Sequence, residues 1–175
     1  MPPQQLGHVF EHFDTEPGTL ANLTLEITER AAVADLEQAQ RLLSEARSAG
    51  AKVFLDDFGV GESSLSVITD LPLDGIKIDA GFVRQLGSSD SARAVVQAVA
   101  DLGRRLDLVV VAEGVETRDQ ADQLTDHGIP LAQGFHFAPP MAIGDFPAWC
   151  GTRPAPKTTN PRPADRRTWD VTEWR

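Results

Sequence analysis

Five short apolar runs, separated by segments of helical periodicity, constrain the fold of this chain most strongly. Each run has the length of a strand and consists mostly of β-branched or aliphatic residues. The runs are Leu23–Ile27, Lys52–Asp56, Gly75–Asp79, Leu108–Ala112 and Pro130–Gly134. Strands of this kind that alternate with helices are typical of a parallel sheet covered by helices. The pattern predicts an α/β fold over residues 20–150, either doubly wound or closed as a barrel, and periodicity alone does not choose between the two.

The segments between the runs carry apolar residues at helical spacing. In the first of them the positions are Val33, Leu36, Ala39, Leu43 and Ala46. They predict one helix with a buried face, which Gly50 terminates. A second helix is predicted before the fourth strand, and Thr117 with Gln120 resembles a capping box at the start of a third.

Polar side chains occur at or just after the carboxyl end of each predicted strand. They are Glu26 and Glu29, Asp56 and Asp57, Lys77 and Asp79, Glu113 and Glu116, and Gln133. An acidic residue at one such position is often only the cap of the next helix. The repetition of polar residues after successive strands favours a functional site instead. The strand ends of a barrel converge on one mouth, whereas those of an open sheet spread along an edge.

Carboxylates gathered at one mouth repel one another, which raises their pKa values unless cations neutralise them. A site for a hard metal ion with oxygen ligands is therefore the natural physical interpretation. Lys77 would lie among these carboxylates. From chemistry alone it has two interpretations, as a group that holds a phosphate oxygen or orients a water, or as a salt-bridge partner of Asp56 or Asp79.

Composition excludes several classes of protein. The formal net charge is −10, so a basic surface that follows a nucleic-acid backbone is not expected, and we predict no DNA binding. The single cysteine, Cys150, cannot form an internal disulfide, and the first residues lack the basic and apolar regions of a signal peptide. No apolar run approaches the roughly 20 residues of a membrane helix. We therefore predict a cytoplasmic protein without a membrane span.

The two ends of the chain differ in character from residues 20–150. Residues 151–175 contain four prolines and six basic residues with little apolar periodicity, which predicts a disordered tail. Residues 1–19 are interpreted as the end of a helix followed by a turn.

The five polar strand ends also form motifs that are similar, in order and spacing, to those of a known family. The motifs are Glu26-Ile27-Thr28-Glu29, Asp56-Asp57-Phe58-Gly59, Lys77-Ile78-Asp79 with Phe82-Val83, Ala112-Glu113-Gly114-Val115-Glu116-Thr117 and Gln133-Gly134-Phe135. Over residues 20 to about 146, they resemble the EAL-domain cyclic-di-GMP phosphodiesterases. The resemblance implies a TIM-type (β/α) barrel, of which this chain holds about five C-terminal βα units.

The resemblance also implies an activity, the metal-dependent hydrolysis of one phosphodiester bond of cyclic di-GMP to give the linear dinucleotide. Two Mg²⁺ or Mn²⁺ ions at the strand ends would stabilise charge on the phosphate and activate water. By this resemblance Glu26, Asp56 and Asp57 are metal ligands. Glu113 assists at the metal-bound water, and Lys77 orients water or phosphate.

Four further residues receive binding roles from the resemblance. Asp79 and Gln133 are expected to line the same mouth, and Glu116 to face the guanine end of the substrate. Glu29 is expected to anchor the loop after Asp56-Asp57, although a helix cap remains an alternative for it.

A complete (β/α)8 barrel takes about 250 residues, and residues 20–150 account for only part of that. The sequence before Glu26 contains no Glu-Ala-Leu triplet, so the glutamate of that motif, its arginine and an asparagine metal ligand are not found. We therefore expect the chain to be a truncated domain that is weakly active or inactive. The alternative is a degenerate, non-catalytic module that binds cyclic di-GMP or a protein. A homodimer, or an upstream sensory or GGDEF-type domain in a full-length relative, is a further expectation.

Overall fold

The computed structural model describes residues 20–59 and 65–152, without the side chains of residues 65 and 66. The predictions for residues 1–19 and for the tail beyond residue 152 lie outside the described residues. The chain divides after Pro140 into two compact units. The first of these units contains the sheet.

The sheet has five parallel strands in the order β1-β2-β3-β4-β5. They are β1 (Thr24–Thr28), β2 (Lys52–Phe58), β3 (Gly75–Ile78), β4 (Val109–Ala112) and β5 (Leu131–Ala132). Each strand pairs with the one before it in the chain, so the described strands contain no reversal of order of the kind that defines a doubly wound sheet. Sequential winding is the topology of a barrel. Of the two alternatives that periodicity left open, the structure therefore supports the barrel.

Six helices connect or follow these strands in the described part of the first unit. They are α1 (Glu29–Ala34), α2 (Leu36–Ser48), α3 (Leu65–Asp70), α4 (Ala80–Arg84), α5 (Asp90–Leu106) and α6 (Arg118–Asp126). The predicted capping box is present at the start of α6. The side chain of Thr117 accepts the backbone N–H of Gln120, and the side chain of Gln120 accepts the backbone N–H of Thr117. Two of the helices, α3 and α4, were not predicted from the apolar spacing.

The single helix predicted between the first two strands is wrong in one respect, because the structure has two helices there. Asp35 separates them with φ −154° and ψ 81°. Its side chain accepts the backbone N–H of Gln38 at 2.9 Å and so caps the start of α2. A short carboxylate that competes for backbone donors favours a cap over a helix interior, and this local preference is stronger here than the apolar spacing that continues across it.

The core lies between the sheet and the helices. Leu25 and Ile27 of β1 are buried while Glu26 between them is exposed, as the alternation of side chains along a strand requires. Leu43 in α2 is fully buried. The helices thus cover one face of the sheet, and the alternate strand positions project from the other face toward the site.

The second unit begins at Met141. Its described part contains a 3-10 turn (Ile143–Asp145) and α7 (Phe146–Gly151), in which the rings of Phe146 and Trp149 stack with centroids 5.8 Å apart. Across the described residues, no helix combines the length and the apolar character that crossing a membrane requires.

Candidate functional site

Lys77 is the centre of an ion-pair network at the carboxyl ends of the strands. Its ammonium lies 2.7 Å from Glu26 Oε2 and 3.3 Å from Asp56 Oδ1, and it also contacts Glu113 Oε1. Lys77 is in β3, and the three carboxylates come from β1, from β2 and from the residue that follows β4. The network therefore joins four consecutive strands, and it exists only because the parallel sheet brings their ends together.

The lysine is almost completely buried, with 5% of its side chain exposed. Burial lowers the pKa of Lys77, but the hydrogen bonds that it donates to Glu113 and Glu26 and the charges of Glu113 and Asp56 outweigh this and hold the pKa above its ordinary value. The ammonium therefore stays charged at neutral pH. It balances part of the negative charge of its neighbours.

Asp57 is placed beside Asp56 by an irregularity in β2. Side chains of consecutive strand residues normally point to opposite faces. Here the register between β2 and β3 shifts between Leu55 and Phe58, and Asp57 adopts a left-handed φ of 56°. Its backbone N–H donates to Asp56 Oδ1 at 3.0 Å. A bulge of this kind re-aims a side chain, and it brings both carboxylates to one side.

The oxygens of Asp56, Asp57 and Glu113 form a cluster in which one oxygen from each residue lies within 4.8 Å of the others. Burial raises the pKa of Asp57, and the charges of Asp56 and Asp79 raise it further, against the opposing effect of Lys77. Burial also raises the pKa of Glu113, and the hydrogen bond from Lys77 offsets part of this shift. The cluster is thus short of positive charge even with the lysine in place.

This set of donors fits a hard divalent cation. Mg²⁺, Mn²⁺ and Ca²⁺ prefer carboxylate oxygens as ligands. Each of the three converging carboxylates has a raised pKa or shares the lysine ammonium. A divalent ion would neutralise the negative charge that the three carboxylates bring together. Asp56, Asp57 and Glu113 would hold the ion, with Glu26 next to them across Lys77.

The comparison with known families agrees with this geometry. The family model described as the EAL domain matches residues 2–140. The chain belongs to the EAL domain family. Its five parallel strands are accordingly part of the TIM-type barrel that the resemblance implied.

Three relatives illustrate the match to other EAL proteins. The chain is 41% identical over 142 residues to the probable cyclic di-GMP phosphodiesterase PdeD of Escherichia coli, which is 81% of this chain and 26% of PdeD. It is 38% identical to the PaMucR phosphodiesterase in its cyclic-di-GMP complex, with a TM-score of 0.69. The matched region covers 73% of this chain and 51% of the PaMucR chain. It is 40% identical to BlrP1 of Klebsiella pneumoniae in a manganese and cyclic-di-GMP complex, with a TM-score of 0.62. The matched region covers 65% of this chain and 29% of the BlrP1 chain.

These matches share a limit of length. This chain spans about a quarter of the length of the curated relatives that it matches. Both solved relatives contain cyclic di-GMP, and the BlrP1 complex also contains manganese.

The remaining predicted residues of this EAL domain have different surroundings. Asp79 caps α4, where it accepts the N–H of Gly81 at 2.7 Å, and it is close enough to Asp57 to raise its pKa. Asp79 is not among the ion-pair partners of Lys77 within the described residues, whereas Asp56 is. Glu116 precedes α6, is exposed, and lies outside the ion-pair network of the described residues.

Glu29 is buried and is the first residue of α1. The cap of that helix is Thr28, whose side chain accepts the N–H of Ala31. Glu29 is therefore not the cap that was the alternative for it, although a carboxylate in the first turn is favourable there. Residues 60–64 of the loop that it was expected to anchor lie outside the described residues, so that role stays a prediction.

Two glycines in the loops that follow β4 and β5 were not predicted from the sequence to have a structural role. Gly114 has φ 65°, and a Cβ there would lie 2.5 Å from the Cβ of Ala80. Gly134 has a positive φ of 152°, and a Cβ there would lie 2.3 Å from the backbone N and O of Val115. The available signal was a glycine directly after a polar strand end, because such a position is where two loops can pack at backbone distance.

Proposed function

We propose that the network around Lys77 is part of the active site of a cyclic-di-GMP phosphodiesterase. The observation that carries the proposal is the convergence of Glu26, Asp56 and Glu113 on one buried ammonium at the carboxyl ends of four parallel strands, with Asp57 clustered beside Asp56 and Glu113. Catalytic groups of TIM-type barrels are found at this face. The names of PdeD and PaMucR supply the substrate, cyclic di-GMP.

In this proposal Glu26, Asp56 and Asp57 bind divalent cations, Mg²⁺ or Mn²⁺. When bound, such cations stabilise negative charge on a phosphate and lower the pKa of a water molecule. The left-handed conformation of Asp57 serves this role, because it holds two adjacent carboxylates on one side before any ion arrives.

Glu113 and Lys77 have the catalytic roles. Glu113 shares the cation with Asp56 and Asp57 and also accepts a proton or a hydrogen bond from the attacking water, and its raised pKa brings it closer to the range in which a carboxylate works as a base at neutral pH. Lys77 remains protonated and donates to a water or a phosphate oxygen once the carboxylates have bound cations.

The charge of the site makes the cation necessary for binding as well as for chemistry. Cyclic di-GMP carries two phosphate anions, and the cluster has more carboxylates than ammonium groups. An anionic ligand would be repelled from such a mouth without added positive charge. Asp79, Gln133 and Glu116 are proposed to contact the substrate, and Glu29 to anchor the loop after Asp57.

The wider setting of the chain is also proposed from its relatives. The curated relatives are about four times as long as the matched region, which leaves room for an upstream sensory or GGDEF-type domain in such proteins. A homodimer and a cytoplasmic location are proposed with it.

The test is the binding and hydrolysis of cyclic di-GMP by the purified 175-residue chain with Mn²⁺, with Mg²⁺ or with EDTA. We expect binding that requires the cation and is lost in Asp57→Asn, whereas Asp70→Asn, which changes an exposed carboxylate at the end of α3, leaves it unchanged. We expect turnover to the linear dinucleotide well below about 1 per second, since three close carboxylates are few ligands for two six-coordinate ions.

Two outcomes would change the assignment. Cation-dependent binding with no product at any enzyme concentration would favour the non-catalytic module. Binding that is equal in EDTA and Mn²⁺, or no binding at all, would contradict the proposed function.

A further inference from the structure

Gln133 makes a direct contact with the network that the sequence did not predict. Its side-chain Nε2 donates to Glu113 Oε1 at 2.8 Å. The same Oε1 contacts the ammonium of Lys77. An ionised carboxylate only accepts hydrogen bonds, so two donors from different strands, one of them charged, hold one oxygen of Glu113. Within the described residues, no hydrogen bond occupies the other oxygen, Oε2.

The backbone around Gln133 is fixed by the loop that carries Glu113. The N–H of Gln133 donates to the carbonyl of Ala112 at 2.9 Å, and its carbonyl accepts the N–H of Val115 at 3.0 Å. The N–H of His136 then donates to the carbonyl of Val115 at 2.9 Å. These bonds join the loops after β4 and β5 into one unit, which we call the β4–β5 clasp.

Gly134 makes the clasp possible. Its positive φ and the 2.3 Å approach of its missing Cβ position to the backbone of Val115 leave no room for a side chain. Because the backbone on both sides of Gln133 is held, its Cβ has a fixed position relative to Glu113, from which the amide reaches Oε1 at 2.8 Å. The amide is therefore in place before any ligand binds.

We infer that Gln133 is a positioning residue for the cation site, acting through Glu113, in addition to any contact with substrate. This inference rests on the proposed function. By holding Oε1 together with Lys77, Gln133 fixes the rotation of the Glu113 carboxylate and leaves Oε2 available as a ligand beside Asp56 and Asp57. Residues that orient a metal ligand in this way typically change metal affinity by about 10- to 100-fold when they are removed.

The inference differs from a role in substrate contact in what it predicts without substrate. A residue that only lines the mouth affects the affinity for cyclic di-GMP and leaves the affinity for the cation alone unchanged. A positioning residue affects the affinity for Mn²⁺ before any nucleotide is present.

The experiment measures Mn²⁺ binding to the full chain by calorimetry or by the EPR signal of free Mn²⁺, without nucleotide. Gln133→Met removes the amide and keeps the length of the side chain. The matched control is Gln85→Met, because Gln85 is also exposed and its amide makes one hydrogen bond, to the carbonyl of Gly81 in its own helix. We expect Mn²⁺ affinity to fall about 10- to 100-fold in Gln133→Met and to be unchanged in Gln85→Met, with equal thermal midpoints in EDTA.

A second measurement tests the contact without metal. In the EDTA-treated chain, the side-chain amide resonance of Gln133 should shift in Glu113→Ala and stay in place in Asp70→Ala. Unchanged Mn²⁺ affinity in Gln133→Met, while the wild type binds Mn²⁺, would overturn this inference alone. So would a lower thermal midpoint in EDTA that accounts for the loss of affinity. A wild type that binds no Mn²⁺ would overturn the proposed function and the positioning role with it, whatever the resonance of Gln133 shows.

Discussion

The two ends of the parallel strands each carry a cluster of charges, and the clusters have opposite compositions. At the amino ends, one carboxylate, Asp74, lies 3.0 Å from the guanidinium of Arg47 and 3.6 Å from the ammonium of Lys52. It also accepts the backbone N–H of Val53 at 3.0 Å. At the carboxyl ends, one ammonium, that of Lys77, is shared by three carboxylates.

The difference separates a structural cluster from a binding cluster. Asp74 is surrounded by cations and a backbone donor, so its charge is fully balanced and it ties β2 to β3. The cluster around Lys77 has three carboxylates for one ammonium and so keeps excess negative charge; burial is the larger cause of the raised pKa values of Asp57 and Glu113, and the neighbouring carboxylates raise them further. Stability at the amino face and chemistry at the carboxyl face is the division expected of a TIM-type barrel. The excess charge is the feature on which the proposed cation binding at the carboxyl face depends.

The largest effect is expected from the loss of the buried ammonium. Lys77→Met leaves three carboxylates facing one another without a cation, and breaking a buried ion pair in this way destabilises by about 3 kcal/mol or more. Denaturant unfolding in EDTA measures it. Lys52→Met is the matched control at the other end, where the side chain is 38% exposed and we expect a loss below about 1 kcal/mol.

Added Mn²⁺ sharpens this comparison, because a cation bound by the three carboxylates replaces part of the missing charge. We expect Mn²⁺ to restore a larger share of stability to Lys77→Met than to Lys52→Met. Equal losses in the two variants, with no difference in the response to Mn²⁺, would show that the two clusters are equivalent.

A smaller effect is expected at the amino end. Asp74→Ala removes the acceptor of the Val53 N–H, and leaving a buried donor without a partner costs about 1 to 3 kcal/mol. Asp70→Ala, an exposed carboxylate nearby in sequence, should change stability by less than about 0.5 kcal/mol. Asp74→Ala should also leave Mn²⁺ affinity unchanged, and a clear loss of affinity would contradict a purely structural role for this end.

The smallest effect is a dependence of stability on pH. The pKa values of Asp57 and Glu113 are raised in the fold from 3.8 and 4.5, so the folded chain holds their protons to higher pH than the unfolded chain does. Their contribution to stability is therefore present at low pH and is lost as pH rises above those values. In EDTA we expect Asp57→Asn to lose less stability than wild type between about pH 4 and 7, measured by thermal midpoints. A steeper loss in the variant would reverse the sign and contradict it.

The fold was largely predictable from the sequence, because near-continuous apolar runs report burial on both sides of a strand. The order and approximate bounds of all five strands followed from them. The break at Asp35 and the left-handed turn at Asp57 did not, since both depend on local backbone geometry that apolar spacing does not encode.

The site was predictable as a set of polar strand ends but not as a network. Sequence spacing left Lys77 with Asp56 or Asp79 as salt-bridge partners. The structure confirms the first, and adds Glu113, which follows the neighbouring strand β4, and Glu26 from β1, which is two strands away from β3. The contact of Gln133 depends on the β4–β5 clasp, which long-range backbone bonds create and no local pattern announces.

The carboxyl ends of these strands are proposed to hold a divalent cation. The most direct measurement is a crystal structure of the chain soaked in Mn²⁺, with anomalous data collected at the manganese edge. We expect an anomalous peak within about 2.5 Å of oxygens of Asp56, Asp57 and Glu113, absent from a crystal of Asp57→Asn treated in the same way. A peak elsewhere on the surface, or no peak while Asp56 and Glu113 remain paired with Lys77, would contradict this proposal.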